Sequence, residues 1–296
     1  MRKIGVFPVV GVLMCLVCSC MRVEDVLFEP EQTDFYQFDD YKGKTDFTLG
    51  SYFDIPEEKI HLVQMTSNLN GDEAKIYATY VGDLETISTD TVIVYCHGNH
   101  MHMDYYWPRT KLLANTGYGV LTFDYRGYGK SEGQATEEGL YADTRAVLQW
   151  LKERGLTDDR LVIYGFSLGS APATKLSAHP QVLTPSKLIL EAPFASAEAF
   201  VRDAVQLSLP ASYITNLEIN NADEIKKVQQ PLLWMHGTED RLLHIEAHGE
   251  LVYNNHNGAF KEGYRVEGAW HQSVPIDMEF INYVYTIQGF VRRNNK

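Results

Sequence analysis

The chain has 296 residues, of which 45% are hydrophobic. That is enough for a large core, which excludes a disulfide-dependent miniprotein and a disordered polyelectrolyte. The 26 basic residues face 39 acidic ones, a formal charge of −13 at pH 7. No basic patch offsets this charge, so nucleic acid is not an expected partner. Three of the four cysteines, Cys15, Cys18 and Cys20, lie close together near the N-terminus.

The first 20 residues predict an export signal. Arg2 and Lys3 precede an apolar run, 4–18, that is shorter than the about 20 residues of a stable membrane span. Its end, Leu16-Val17-Cys18-Ser19-Cys20, resembles the lipobox of bacterial lipoproteins. The resemblance implies a signal peptide at 1–19, acyl chains on Cys20, and a lipid-anchored protein of the bacterial cell envelope with the membrane as its partner. The alternatives are an ordinary secreted protein with a cysteine-rich signal and an uncleaved anchor.

Residues 20–50 form an acidic, aromatic stretch without a clear period. We predict a tether that becomes ordered only where its aromatic side chains contact the domain, with its acidic side chains solvated. The aromatic candidates are Phe35, Tyr36, Phe38 and Tyr41. The acidic residues are Glu24, Asp25, Glu29, Glu31, Asp34, Asp39 and Asp40.

Residues 51–296 alternate β-branched or aromatic runs with helical patterns, which predicts one α/β domain with a mostly parallel sheet covered on both faces. Asn70-Gly71 predicts a hairpin between the first two strands, because both residues tolerate positive φ. The eight predicted strands are Ile60–Thr66, Lys75–Val81, Thr91–Cys96, Val120–Tyr125, Leu161–Tyr164, Leu188–Ala192, Leu232–His236 and Lys261–Glu267. The predicted helices are Tyr105–Thr116, Thr136–Arg154, Leu168–Ala178, Ile245–Asn254 and Pro275–Arg293.

A strand that leads into a G-x-S-x-G pentapeptide is the sharpest local pattern in the chain. The pentapeptide reads Gly165-Phe166-Ser167-Leu168-Gly169, and a helical pattern follows it. This is the context of a nucleophile elbow, in which a strained turn exposes the serine and the glycines leave room for neighbouring backbone. We predict that Ser167 is a nucleophile. The alternative is a chance pentapeptide on a strand-to-helix turn.

A serine hydroxyl needs a base, and the base needs an orienting acid, in the chain order Ser, Asp or Glu, His. Asp240 follows the predicted strand Leu232–His236, and His271 follows the last predicted strand. We assign Asp240 as the orienting acid and His271 as the general base. Glu239 and Glu191 are the fallback acids.

A tetrahedral intermediate also needs hydrogen-bond donors for its oxyanion. The backbone N–H of Leu168 is the first candidate, because this residue directly follows the nucleophile. The second should come from the loop His97-Gly98-Asn99-His100. We predict the backbone N–H of Asn99 there, with that of His100 as second choice.

With these residues in view, the chain resembles serine hydrolases of the α/β-hydrolase fold, in the serine aminopeptidase-like and α/β-hydrolase domain-containing branch. The resemblance rests also on Phe123–Gly133, Glu191–Phe194 and His236–Asp240, and it covers roughly residues 60–291. It implies an eight-stranded sheet with helices on both faces and a small cap at about 195–230. It also suggests that Asp124 and Arg126 brace a loop below the site.

Two further patterns bear on the chemistry. His100, His102 and Asp104 alternate along one segment and could share a face, so a metal site is the rival hypothesis. Several aromatic residues could line an apolar acyl pocket, although such residues are more often core. They are Tyr105, Tyr106, Trp107, Phe166, Phe194 and Trp270.

The sequence therefore predicts a cofactor-free serine hydrolase that cleaves a small-molecule carboxylic ester, thioester or lipid acyl bond through acyl-Ser167. A serine peptidase or aminopeptidase with the same three residues is one alternative. The other alternative is a non-catalytic envelope binding protein on a hydrolase fold. The presence of a serine, an acid and a histidine in the expected order argues against it.

Overall fold

The computed structural model describes residues 27–205 and 215–293. The predicted signal peptide and Cys20 lie outside the described residues, as does part of the predicted cap, 206–214. Within the described residues the main sheet has eight strands, which confirms the predicted number. A separate short pair, β1 (Glu29–Pro30) with β5 (His100–Met101), runs parallel.

The main strands are β2 (Ile60–Leu69), β3 (Asp72–Val81), β4 (Val92–Cys96), β6 (Gly119–Phe123), β7 (Leu161–Phe166), β8 (Lys187–Glu191), β9 (Leu232–Gly237) and β10 (Lys261–Val266). Their order in the sheet is β10-β9-β8-β7-β4-β6-β3-β2. Strand β3 pairs antiparallel with β2 and β6, whereas the other six strands, β6, β4, β7, β8, β9 and β10 in sheet order, pair parallel with one another. The sheet is thus mostly parallel, as predicted.

The α-helices in the described part of the chain are α1 (Trp107–Ala114), α2 (Glu137–Glu153), α3 (Ser170–Ala178), α4 (Ala197–Val205), α5 (Asn221–Glu224), α6 (Gly249–Asn255), α7 (Val274–Asp277) and α8 (Phe280–Arg292). The predicted helix Pro275–Arg293 is two helices instead of one. The backbone φ of Glu279 is +62° between them, a left-handed value that cannot continue a right-handed helix. The hairpin prediction is confirmed, because Asn70 and Gly71 adopt φ values of 54° and 95° between β2 and β3.

Helices cover both faces of the sheet because the central strands are apolar on both faces. Alternate residues of β4 contribute to different cores: Val94 packs in one with Leu148 of α2, and Ile93 packs in the other with Leu112 of α1 and Ile287 of α8. Two buried layers therefore hold the central strands rigidly, and loops at the strand ends are fixed relative to one another.

The N-terminal segment, defined here as residues 27–50, packs on the domain more closely than a tether would. The predicted aromatic contacts include Tyr36, which donates to Asp124 Oδ2 at 2.7 Å, and Phe38, whose ring lies 4.8 Å from that of Trp107. Asp39 is exposed, as predicted for the acidic residues, and it also accepts a hydrogen bond from Lys111 at 2.6 Å. The side chain of Asp46 is fully buried against Arg109. Charge pairing and burial, in addition to aromatic contacts, hold this segment in place.

Candidate active site

The predicted site residues meet at the carboxyl end of the parallel strands. Ser167 follows β7, Asp240 follows β9, and His271 follows β10, while Asn99 lies in the loop after β4. Strand β4 lies between β6 and β7 in the sheet. The chain therefore passes from β4 to a strand on one side of it and then crosses to a strand on the other side. Crevices at such switch points are the usual ligand sites of open α/β sheets.

The turn at Ser167 is strained. Its φ is +51°, in the left-handed region, which costs a non-glycine residue of order 1–3 kcal/mol. Side chains at the flanking glycines would collide with backbone: one at Gly165 with the carbonyl of Gly169, and one at Gly169 with that of Cys96. The glycines therefore let β7, the turn and α3 pack closely enough to raise the serine hydroxyl above the sheet.

Ser167, His271 and Asp240 form a continuous hydrogen-bonded chain. Ser167 Oγ lies 2.9 Å from His271 Nε2, and His271 Nδ1 lies 2.7 Å from Asp240 Oδ2. A carboxylate only accepts hydrogen bonds, so Nδ1 carries the imidazole proton and Nε2 presents its lone pair to the serine hydroxyl. This arrangement can withdraw a proton from Ser167.

Asp240 is surrounded by donors. Its Oδ1 accepts from the backbone N–H groups of Leu242 and Leu243 at 2.9 and 2.8 Å, and His236 Nε2 lies 3.1 Å from Oδ2. Burial by itself would raise the pKa of Asp240, but hydrogen bonds from His236 and His271 outweigh it and hold the pKa well below its usual range. Asp240 therefore stays ionised and fixes the orientation of His271 at neutral pH.

The loop after β4 is braced from several directions. The carbonyl oxygen of Asn99 accepts from Tyr128 Oη at 2.9 Å and from Glu29 N at 3.0 Å. The backbone N–H of His100 donates to Tyr106 Oη at 3.2 Å. The amide of His100, the second-choice oxyanion donor, is thus engaged in a hydrogen bond. Asn99, Ser167 and Leu168 all border one cleft.

Two clefts meet at His271. The Ser167 cleft has a volume of about 290 Å³ and includes Tyr105 and Phe194, two of the aromatic residues predicted for an acyl pocket. A neighbouring groove of about 720 Å³ shares Leu242, His271 and Gln272 with it and is bordered by Trp270, which is 60% exposed. The pocket prediction is wrong for the other three, Tyr106, Trp107 and Phe166: they are buried in the core and border neither cleft.

The metal hypothesis finds no matching geometry in residues 27–205 and 215–293. His100 Nδ1 lies 3.0 Å from Glu29 Oε2, and the ring of His102 packs edge-on against Tyr41. Asp104 accepts hydrogen bonds from the backbone N–H groups of Gln37 and Phe38. Each of these three side chains therefore has its own partner in the N-terminal segment.

Sequence reasoning missed Arg109, which connects the fallback acid Glu191 to the site. Arg109 Nη1 donates to Glu191 Oε1 at 2.6 Å, and Nη2 donates to the carbonyl oxygen of Gln272, next to His271, at 3.0 Å. Glu191 also accepts from Tyr283 Oη at 2.8 Å. The other fallback acid, Glu239, borders the groove. No sequence signal distinguishes Arg109 from a surface arginine on a helix, because its partners lie far away along the chain.

The parallel sheet, the two helical layers and the elbow after β7 define the α/β-hydrolase fold. An esterase structure from Pyrococcus furiosus supports this with a TM-score of 0.66 at 19% identity, covering 90% of this chain and 97% of that one. The predicted fold is thereby confirmed. A family model described as serine aminopeptidase, S33, matches residues 87–229, slightly under half of the chain. The matched range includes Asn99, Ser167 and Leu168, and it ends before Asp240.

Curated relatives confirm the resemblance to the α/β-hydrolase domain-containing branch. The chain is 32% identical over 192 residues to lysophosphatidylserine lipase ABHD12 of Xenopus tropicalis, covering 57% of this chain and 48% of that protein. It is 30% identical over 193 residues to Protein ABHD12B of Homo sapiens, covering 60% and 52%. The chain thus spans about half the length of these relatives.

Proposed function

We propose that the protein is a serine hydrolase that cleaves a carboxylic ester or related acyl bond. The hydrogen-bonded chain from Ser167 through His271 to Asp240 carries this proposal, because it joins a nucleophile, a base and an orienting acid in one geometry. The similarity to a lysophosphatidylserine lipase supports an ester of a lipid as the substrate.

The reaction proceeds in two half-reactions. Ser167 Oγ attacks the carbonyl carbon while its proton passes to His271 Nε2. The tetrahedral intermediate then breaks its bond to the leaving oxygen, which takes that proton, and acyl-Ser167 remains. Water next attacks the acyl carbon and gives a proton to His271, and this proton returns to Ser167 Oγ as the carboxylic acid leaves. Asp240 holds the imidazole tautomer and stabilises the imidazolium in both halves.

The backbone N–H groups of Leu168 and Asn99 are the proposed donors to the oxyanion. Leu168 lies in the first turn after the elbow, where the amides of a helical turn have no partner within the helix. Since both donors are main-chain groups, their side chains need not be polar. This fits leucine at position 168.

The groove bordered by Trp270 and Leu242 is the proposed path for the longer apolar part of the substrate. These side chains are 60% and 50% exposed beside His271. Trp270→Ala is expected to lower kcat/KM for p-nitrophenyl decanoate about tenfold and leave p-nitrophenyl acetate nearly unchanged, because only the long chain reaches the indole ring. Steady-state kinetics on the two esters measure this.

Tyr285→Ala is the matched control, since Tyr285 is an exposed aromatic on α8 that borders neither cleft. It should leave both esters unaffected. An equal loss on acetate and decanoate in Trp270→Ala would mean that the ring supports the His271 loop rather than the substrate chain.

The aminopeptidase description of the matched family model keeps peptide bonds as a second candidate. The decisive comparison measures turnover of p-nitrophenyl esters of different acyl chain lengths and turnover of aminoacyl p-nitroanilides. Turnover of esters, with little on amides, is the expected result. Preferential turnover of amides would favour the peptidase. If the folded protein turned over neither substrate and did not react with a fluorophosphonate probe, a binding role would be favoured.

A lipid anchor on Cys20, which would place the protein in the cell envelope, completes the proposal. In the part of the chain that the structure describes, no helix has the length and apolarity to cross a bilayer. In cells fed an alkyne fatty acid, the wild type and Cys15→Ser should carry label, because acylation requires the thiol at position 20. Cys20→Ser should lose it. Unchanged label in Cys20→Ser would refute the anchor.

A further inference from the structure

Arg109 is a buried cation that joins three separate parts of the molecule. Its side chain is 1% exposed, and each of its guanidinium nitrogens is used. Nε pairs with Asp46 of the N-terminal segment, Nη1 with Glu191 at the end of β8, and Nη2 with the carbonyl oxygen of Gln272. A planar guanidinium suits three such acceptors, whereas the compact ammonium group of lysine does not.

The surroundings of Arg109 include chain neighbours of both reacting residues. The guanidinium lies 3.9 Å from the ring centroid of Phe166, which directly precedes Ser167. The ring of Phe166 lies 5.4 Å from that of His271. Gln272, whose carbonyl oxygen Arg109 binds, directly follows His271 and donates through its side chain to Tyr105 Oη at 3.0 Å. A displacement of Arg109 would therefore move the neighbours of Ser167 and of His271 together.

Glu191, the acceptor of Arg109 at the end of β8, is itself held in place. Glu191 Oε2 accepts from Tyr164 Oη on β7 and from Tyr283 Oη on α8. Asp46 pairs with Nε, and the neighbouring Phe47 ring lies 5.5 Å from the guanidinium. Burial by itself would lower the pKa of Arg109, but Asp46 and Glu191 outweigh it and hold the pKa well above its usual range. Arg109 therefore stays protonated. One of its acidic partners, Glu191, is held at the end of β8, and the other, Asp46, belongs to the N-terminal segment.

We propose that Arg109 is a positioning residue through which the N-terminal segment holds the loop that carries His271. The proposal rests on the hydrolase function proposed above. In this arrangement Asp46 completes the site from outside the sheet, although it contacts neither Ser167 nor His271. The N-terminal segment is then a working part of the hydrolase.

The test compares Arg109→Lys and Asp46→Asn with Lys111→Met. Lys111 lies on the same helix and also binds the N-terminal segment, at Asp39, together with Asp54 just beyond that segment, and its ion-pair partners do not include Phe166 or Gln272. On p-nitrophenyl acetate, Arg109→Lys should lower kcat about 10- to 100-fold with little change in KM, since misplacement of a reacting group costs that much. Asp46→Asn should lower kcat less, because Arg109 keeps Glu191 and Gln272. Lys111→Met should keep the wild-type kcat.

A second readout does not depend on turnover. In protein labelled with ¹⁵N-histidine, the Nδ1 proton of His271 reports its hydrogen bond to Asp240. Its resonance should be unchanged in Lys111→Met and shifted or broadened in Arg109→Lys and Asp46→Asn. If Arg109→Lys does not fold, Asp46→Asn decides. Wild-type kcat and an unchanged resonance in the folded variants would overturn the proposal. A folded wild type that neither turns over esters nor reacts with a fluorophosphonate probe would instead overturn the hydrolase function, and the resonance alone would then decide the role of Arg109.

Discussion

Ser167→Ala is expected to abolish labelling by a fluorophosphonate probe and to lower kcat on p-nitrophenyl esters by a factor on the order of 10⁶. The substitution removes the oxygen that would form the acyl-enzyme and leaves His271 without its partner at 2.9 Å. Labelling is measured by in-gel fluorescence, and kcat by release of p-nitrophenolate.

Ser177→Ala provides the control for this experiment. Ser177 is a buried serine of α3 whose hydroxyl donates to the carbonyl oxygen of Ala173 at 2.7 Å, within its own helix. Its replacement should leave labelling intact. Labelling of Ser167→Ala at another residue would show that the nucleophile is misassigned, and mass spectrometry of the labelled peptide would locate the true one.

Asp240→Asn has the second largest expected effect, a loss of about 10⁴ in kcat. The amide still accepts from Leu242 and Leu243 through one oxygen, so the loop should fold normally. Its NH₂ group, however, would face His271 Nδ1 and favour the tautomer that directs an N–H toward Ser167. That tautomer cannot take the serine proton. The kcat on p-nitrophenyl acetate, with circular dichroism to verify folding, measures the effect.

Glu239→Gln distinguishes the assigned acid from its neighbour in the chain. Glu239 borders the groove and takes no part in the hydrogen-bonded chain to Ser167. Its charge can therefore be removed with little change in kcat. A large loss in Glu239→Gln together with near-normal activity in Asp240→Asn would exchange the two roles.

The parts of the site that the sequence predicted are those encoded locally. Alternating and apolar runs predicted each strand end to within three residues, and Ser167, Asp240 and His271 follow strand ends. Parallel strands bring such ends to one edge of the sheet, so their meeting required only the strand order. The elbow was predictable because its glycines and serine are contiguous.

The parts that the sequence did not predict depend on distant contacts. Asp46 and Arg109 are 63 residues apart, and nothing in either neighbourhood indicates that both are buried. The break at Glu279 was also missed, because Pro275–Arg293 has a continuous helical pattern and only tertiary packing imposes the positive φ. Exposure of Trp270 and Leu242 likewise depends on which loops adjoin them.

The pairing of β1 with β5 fixes the position of the first described residues. Glu29 pairs with His100 in the loop that follows β4, and Leu27 borders the Ser167 cleft. Leu27 follows Cys20 by seven positions, and a fully extended chain over seven steps spans at most about 25 Å. An acylated Cys20 would therefore keep the mouth of the cleft within one bilayer thickness of the membrane surface. With the proposed anchor in place, lipids of that leaflet would reach the cleft by lateral diffusion in two dimensions, without first entering water.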